Sequence, residues 1–389
     1  MRDRRKPRHA GALLSVTHGR WVNATQSGRW GHRFFFLVLC TALLRSAPML
    51  AQQALAAPGA GKPEVDALQA EGAALAAQQR FAEAEIPLGR ALALAPGNVD
   101  LLRIAGKVEG RLGHMDEAVN LLQRAEALQP LDPQIHLELG IALADAENFP
   151  RALEEVSAAE KLEPGSGEAH LNRARILDRL GKAAEAEGEF AVAARLSPRN
   201  PDVFYYWALL ESEEGRLGKE SDLLERLTRL KPADDQAFYL LGRSFEQQGR
   251  RQESIAALRT VIRLNPESGE ALYMLSRELR ATHPAEAEKL SQRFLALRKK
   301  NADQEAAIAL GNQGVEASRK NDWHRAIDLL RKALAACNGC AIEAGLHRDL
   351  GLTLCRNGQV DEGSRELHEA LRLNPSDVDT VKALEVIGR

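Results

Sequence analysis

The chain has 389 residues, of which 44% are hydrophobic, 27% charged and only 5% aromatic. Alanine and leucine dominate the apolar set; because both are strong helix formers and β-branched runs are scarce, an almost all-helical protein is expected. Residues 1–56 carry nine Lys/Arg and one Asp, whereas the remainder carries 43 basic and 53 acidic residues. A body with a net charge of −10 argues against nucleic acid as a partner.

The first element in chain order is a basic leader with a signal-like segment, residues 1–56. Arg29 and Arg33 precede an eleven-residue apolar run at Phe34–Leu44, and an A-x-A arrangement follows at Ala54–Ala56. These features are typical of a secretory signal, and the run is shorter than the roughly 20 residues of a spanning helix. We expect export to the bacterial periplasm or cell envelope. The alternative is an uncleaved anchor, the only part expected to contact a membrane.

After a linker at 57–64, which is rich in Pro and Gly, an internal repeat begins. Six prolines spaced by 34 residues each close a similar phrase, such as ALALAP or VIRLNP: Pro96, Pro130, Pro164, Pro198, Pro232 and Pro266. Twenty-four residues before each proline stands a small residue: Gly72, Gly106, Gly140, Ala174, Ala208 or Gly242. Chance would not keep such columns in phase. The sequence therefore predicts six repeats over 65–268, with bounds 65–98, 99–132, 133–166, 167–200, 201–234 and 235–268.

Each column has a packing reason. The small residue at the eighth position of a repeat lets its two helices approach closely, and large residues at the eleventh and twenty-fourth positions fill the space between them. Four glycines are expected to end first helices in a left-handed conformation: Gly113, Gly181, Gly215 and Gly249. The closing proline stops the second helix. One hairpin cannot bury its apolar face alone, but stacked neighbours can.

A 34-residue helix–turn–helix with these columns resembles the tetratricopeptide repeat family, in an exported bacterial form, over roughly residues 65–377. The resemblance implies an all-α fold, a right-handed α-solenoid of stacked antiparallel helix hairpins. The family's frequent Trp at the fourth position is absent. That position holds His136 and His170 in two repeats, and these histidines are expected to be packing residues rather than ligands. No metal and no cofactor are expected.

Beyond residue 268 the phase slips. Residues 269–306 are expected to form an irregular hairpin, because Thr282-His283-Pro284 replaces the glycine turn. Two further repeats are predicted over 307–377, and a capping helix over 378–389. The irregular stretch is the predicted bend of the superhelix.

The resemblance also implies a concave groove lined by the first helices, with the fifth and ninth positions pointing into it. Tyr gives broad contact area with one polar end, Arg gives a planar fork for carboxylates, and both are enriched in binding hot spots. A Tyr–Arg ladder would suit an extended peptide or an acidic segment. The alternative is that these residues pair with each other as intramolecular cation–π contacts. The predicted groove residues are Arg175, Tyr205, Tyr239, Arg243, Tyr273 and Arg277.

Cys337 and Cys340 lie between two predicted hairpins. A C-x-x-C pair can be a redox pair, half a zinc site or a local disulfide. No second C-x-x-C or His pair accompanies it, and no βαβ pattern surrounds it. In an exported chain a structural disulfide is favoured, and it would fix the turn after the register slip. Cys355 is expected to be free.

No enzyme motif is present: the sequence has no phosphate loop, no G-x-S-x-G and no H-E-x-x-H. We therefore predict a non-enzymatic scaffold that binds a protein or peptide partner in the concave groove. The alternative is an accessory protein of envelope polysaccharide or secretion machinery, which binds sugar or lipid through its Tyr rings. Glu211 occupies an eleventh position that is usually apolar, and the sequence offers no reason for it.

Overall fold

The structure, a computed structural model, describes residues 62–337 and 339–387. The predicted leader at 1–56 and most of the linker lie outside these residues, so the expected export signal stays a prediction. Among the described helices, none has both the length and the apolar character that crossing a membrane requires.

Eighteen helices, and no strands, make up the regular structure of the described residues. In chain order they are α1 (Lys62–Ala77), α2 (Phe81–Leu94), α3 (Val99–Leu112), α4 (Met115–Leu128), α5 (Pro133–Asp145), α6 (Phe149–Leu162), α7 (Gly167–Arg179), α8 (Ala183–Leu196), α9 (Pro201–Glu213), α10 (Leu217–Leu230), α11 (Asp235–Gln247), α12 (Arg251–Leu264), α13 (Gly269–Leu279), α14 (Pro284–Arg319), α15 (Trp323–Cys337), α16 (Glu343–Arg356), α17 (Val360–Leu373) and α18 (Val378–Ile387).

The helices pair as hairpins, and the hairpins stack in chain order. Each odd-numbered helix from α1 to α13 packs against the even-numbered helix that follows it, and each hairpin packs against the next. The first helices of neighbouring repeats also touch one another, as α3, α5, α7 and α9 do. The predicted all-α solenoid is therefore confirmed.

The eighth-position column shows why small residues are needed there. A Cβ built on Gly140 of α5 would lie 2.5 Å from Cγ2 of Val156 on α6 and 3.2 Å from the carbonyl oxygen of Ala152. Gly106 stands in the same relation to Leu122, at 2.9 Å from its Cγ. Since each of these contacts involves backbone or a fully packed side chain, any larger residue would push the two helices of the hairpin apart.

A buried ion cluster explains the charged residue at the eleventh position of the 201–234 repeat. Glu211 has no solvent exposure. Its carboxylate accepts a hydrogen bond from Nε1 of Trp207 at 2.7 Å, lies 3.0 Å from Nζ of Lys219 and pairs with the Arg216 guanidinium. Glu187 of α8 also pairs with Arg216, at 3.0 Å, and with Lys219. The cluster thus joins α8, α9 and α10 through charge rather than through an apolar side chain.

The Glu211 cluster predicts a loss of local stability in acid. Burial raises the pKa of Glu211, but hydrogen bonds from Arg216, Lys219 and Trp207 outweigh burial and hold the pKa below its ordinary value. A depressed folded-state pKa stabilises the fold above the ordinary carboxyl pKa, about 4.3, and this contribution is lost as pH falls through the folded-state pKa. Hydrogen exchange of α9 and α10 should therefore accelerate below about pH 4.3. The variant Glu211→Leu should lack this local step, and an identical acid profile in both proteins would contradict it.

The region predicted as an irregular hairpin contains one long helix. α14 runs for 36 residues, from Pro284 to Arg319. It packs against α13 through Ala287 and Leu290, and against α15 through a later face that includes Gly314. The boundary predicted at 306/307 thus lies inside a helix, and no irregular backbone separates the two hairpins. The extra residues lengthen a helix that serves as second helix of one hairpin and first helix of the next.

The C-terminal part continues the stack with α15, α16 and α17, and α18 packs on α17. Cys337 and Cys340 are joined by a disulfide between α15 and α16, with their Cα atoms 5.0 Å apart. Cys355 on α16 carries a free thiol, and burial raises its pKa. The disulfide thus lies where the chain turns from one hairpin into the next.

Candidate partner-binding groove

The predicted groove residues lie on four consecutive first helices. Arg175 is on α7, Tyr205 on α9, Tyr239 and Arg243 on α11, and Tyr273 and Arg277 on α13. Some of these side chains already form hydrogen bonds, ion pairs or ring contacts within the chain, and others do not. This difference decides which of them are free to bind a partner.

Arg175 is engaged twice. Its guanidinium lies 4.4 Å from the centre of the Tyr206 ring on α9, and its Nη1 donates to Oδ1 of Asn172 at 2.9 Å. Tyr206 is the neighbour of the predicted Tyr205, which instead meets the Tyr206 ring edge-on at 5.2 Å. Burial raises the pKa of Tyr205. This part of the ladder is an internal stack that links α7 to α9, which is the alternative that the sequence left open.

Arg277 is also engaged. Its guanidinium lies 6.0 Å from the centre of the Tyr273 ring and forms an ion pair with Glu246 of α11. Tyr273 keeps 49% of its surface exposed and contacts Phe294 of α14, with ring centres 5.5 Å apart. The charge of Arg277 is therefore already balanced, whereas the ring of Tyr273 remains accessible.

Arg243 is the exception. Within the described residues its guanidinium makes no ion pair, hydrogen bond or ring contact, and its Nε is buried without a hydrogen-bond partner. Tyr239, one turn earlier on α11, is half-buried; burial raises its pKa, and the nearby charge of Arg243 opposes that shift. A buried donor without a partner costs about 1–3 kcal/mol. The Arg243 guanidinium also carries a charge that no carboxylate of the described residues balances, so α11 offers the strongest unfilled binding capacity of the ladder.

A pocket of about 650 Å³ lies further toward the N-terminus, between α3, α5, α7 and α9. Its wall alternates charges of both signs. Glu138, only 6% exposed, accepts hydrogen bonds from Arg103 at 2.9 Å and Lys107 at 3.3 Å. The charged residues of the wall are Lys107, Arg111, Glu138, Asp145, Glu168, Arg175 and Asp202. A wall of this kind could bind a peptide segment that contains both acidic and basic residues, or one whose backbone amide groups are free to form hydrogen bonds.

Asp145 shows how the groove alters a carboxyl group. Desolvation by the surrounding walls raises its pKa, and the guanidiniums of Arg175 and Arg111 lower it in part. Asp178, one repeat later, behaves in the same way, because desolvation and the nearby Glu213 raise its pKa. Of these two carboxyl groups, Asp145 lines the pocket, and it would gain from a cationic side chain placed there.

The sixth position of the repeats also contributes to the pocket, although it is not among the predicted groove positions. Glu138, Asn172 and Tyr206 occupy it in three successive repeats, and all three line the pocket. The sequence signal is weak, because the sixth position is apolar in the other three phased repeats, which hold Ala70, Ile104 and Leu240.

The geometry agrees with comparisons to known proteins. A family model described as "Tetratricopeptide repeat" matches residues 105–166, 138–201, 221–269 and 239–277. These matches support the tetratricopeptide repeat family for the part of the chain that contains the pocket and Arg243. No curated protein matches the sequence.

Several solved structures share the fold. PilW, described as a "widely conserved type IV pilus biogenesis factor", is 17% identical with a TM-score of 0.50, over 54% of this chain and 98% of that chain. PilF of Pseudomonas aeruginosa is 18% identical with a TM-score of 0.47, over 56% and 98%. YrrB, "a TPR protein with an unusual peptide-binding site", is 16% identical with a TM-score of 0.38, over 48% and 96%. At 17% identity, the likeness to PilW shows the fold alone.

Proposed function

We propose that this chain of tetratricopeptide repeats is a non-enzymatic scaffold that binds an extended segment of a partner protein in its concave groove, with Tyr239 and Arg243 as the anchor. The unpartnered Arg243 guanidinium carries this proposal. A carboxylate of the partner would accept from it through two parallel hydrogen bonds, and the ring of Tyr239 would pack against the adjoining chain.

The partner segment is extended and of mixed charge. Neighbouring packed helices lie roughly 8–10 Å apart, and an extended chain advances about 3.3–3.6 Å per residue, so about three residues of the partner span one repeat. Four first helices, α5 to α11, would therefore read about ten residues. An acidic residue would meet Arg243, and a basic one would meet Asp145 in the pocket, where the carboxyl group is partly desolvated.

The proposal includes location in the cell envelope. Its support is the basic leader with its short apolar run, since an interaction scaffold that follows such a segment would meet its partner after export.

Selection from a random peptide library on the immobilised full chain tests the function. We expect enriched peptides to contain an acidic residue, and the variant Tyr239→Ala/Arg243→Ala to weaken their binding by about 30-fold or more, the effect of losing one hot spot. The helical circular dichroism signal should change little, because both side chains are partly exposed and neither is a fully buried core residue.

The matched control is Tyr273→Ala/Arg277→Ala, which removes the same residue types at the equivalent positions of the next repeat. Its arginine is already paired with Glu246, so peptide binding should fall by only a few-fold. Equal affinity of the Tyr239/Arg243 variant and the unmodified chain would rule out this anchor.

The exposed ring of Tyr273 favours a second candidate, an accessory role in envelope polysaccharide handling, because an accessible Tyr face can stack on a sugar. Titration with oligosaccharides should then detect binding that Tyr273→Ala removes and Arg243→Ala leaves intact. The opposite pattern would exclude sugar as the ligand.

A further inference from the structure

Two Glu–His–Glu triads recur in register in the two His-containing repeats. Glu126, His136 and Glu155 place one ligand atom each within 4.8 Å of one another, and so do the residues 34 positions later, Glu160, His170 and Glu189. The triads take one residue from each of three successive helices, α4, α5 and α6 in the first case. Their position is separate from the groove.

The ring of His136 is oriented from both sides. It is only 8% exposed; its Nε2 lies 2.9 Å from the carbonyl oxygen of Pro130, and its Nδ1 lies 2.8 Å from Oε2 of Glu155. When Nε2–H donates to the carbonyl, Nδ1 faces the two carboxylates with its lone pair. A backbone carbonyl that holds the far nitrogen in this way is the usual outer partner of a metal-binding histidine.

The second triad contains a cation of its own. Arg173 pairs with Glu160 and lies 3.3 Å from Glu189, so its guanidinium bridges both carboxylates. The equivalent residue of the first repeat, 34 positions earlier, is Leu139. Among the described residues no lysine or arginine forms an ion pair with Glu126 or Glu155. The carboxylate pair is therefore bridged by a guanidinium in one repeat, whereas in the other only the His136 ring lies against it.

We propose that the Glu126–His136–Glu155 triad binds a divalent cation of the zinc class, which takes the place that Arg173 fills in the next repeat. Imidazole nitrogen and carboxylate oxygen are both ligands of Zn²⁺, and with three such protein ligands a water completes the tetrahedron. Small rotations of the two glutamates bring their oxygens to the 2.0–2.2 Å that zinc requires. The bound ion would fasten α4 to α5 and α6, and so join two repeats.

A third histidine–glutamate pair lacks the third ligand of the triads. His347 Nδ1 lies 2.5 Å from Oε2 of Glu366, the same spacing of nineteen residues. The position equivalent to Glu126 is Cys337, which is held in the disulfide. This pair lacks a free third ligand and serves as an internal control.

Isothermal titration of the full chain with Zn²⁺ alone tests the proposal. We expect one ion bound at the first triad, and Glu126→Gln should weaken binding by at least about 10-fold, the lower end for losing even an outer partner. The second variant, Arg173→Leu, makes the second triad match the first and should raise the stoichiometry from one ion to two. Glu366→Gln should leave both values unchanged.

Glu126 is unpaired and partly exposed, so its substitution should leave folding intact, and circular dichroism checks this. The proposal fails if wild-type chain binds no zinc, in which case a proton alone holds the His136–Glu155 contact. It fails equally if binding survives Glu126→Gln but disappears when Cys355 is alkylated, or if Arg173→Leu adds no ion.

Discussion

Replacing both Arg216 and Lys219 by Met is expected to destabilise the α9–α10 hairpin by about 3–4 kcal/mol at pH 7. Glu211 would remain without solvent exposure and would keep only the Trp207 N–H as a donor. Removing the partners of a buried charge typically costs about 3–5 kcal/mol. Protonation of the carboxyl group sets a ceiling, since moving from a pKa of about 4.3 to pH 7 costs about 3.7 kcal/mol at 1.36 kcal/mol per unit.

The control for this prediction is Glu211→Leu, which restores the apolar eleventh position. Arg216 and Lys219 are partly exposed and can be hydrated once the carboxylate is gone. The cost should then be limited to about 1–3 kcal/mol for the orphaned indole N–H. Combining Glu211→Leu with the double Met change should recover most of the loss, because the three residues form one network.

Native-state hydrogen exchange of α9 and α10 is the suitable measurement, since stacked repeats can open locally rather than as a whole. If the triple variant were as unstable as the double variant, the loss would come from the aliphatic stems of Arg216 and Lys219. The buried carboxylate would then have no part in it.

The repeated fold could be predicted because its packing columns are local in sequence. The glycine or alanine at the eighth position and the closing proline recur every 34 residues, and each has one steric role. A further column is equally regular. The side chain of the last residue of each repeat accepts a hydrogen bond from a backbone N–H at the start of the following repeat's first helix, and so caps that helix. These caps are Asn98, Asp132, Ser166, Asn200, Asp234 and Ser268.

The long helix α14 could not be predicted from the columns, because they report where hairpins pack and not where a helix stops. Pro284 suggested a break, yet it occupies the first turn of α14, where a missing N–H costs nothing. From residue 285 to residue 310 the sequence has no Pro or Gly. Because this stretch has no helix-breaking residue, it can continue as a helix even where few of its side chains are buried.

The sequence places the candidate groove residues on first helices, but it does not show which of their side chains are free to bind. Periodicity places Arg175 and Arg243 in the same column, but it cannot tell that one faces Tyr206 of the next helix and the other faces no partner. That distinction depends on distances between helices of different repeats. The ion pairs of Glu211 with Arg216 and Lys219 could not be predicted either. The partners follow Glu211 by five and eight residues and lie beyond the turn between α9 and α10, so helical periodicity does not bring them together.

Asn301→Pro is expected to uncouple the two ends of α14 at a local cost of about 3 kcal/mol or more. Proline removes the hydrogen bond to the carbonyl of Leu297 and its ring collides with that turn. No residue of α14 between Leu290 and Ala307 is buried, so the substitution removes no core contact from either hairpin. The energy is therefore lost from the connection and not from the packed repeats on its two sides.

The expected result is a change in geometry with little change in helix content. A kink of 20° or more at residue 301, acting over the about 27 Å of helix that remain to Arg319, would displace the far end by about 9 Å. Spin labels attached by a cysteine-independent chemistry at exposed Arg263 and Arg325 can measure this displacement, with Asn301→Ala as the matched control. Superimposable distance distributions in the two variants would mean that α13 and α15 hold their placement without the helix between them. A shift confined to the proline variant would show that continuity of α14 sets the angle at which the last repeats follow the first.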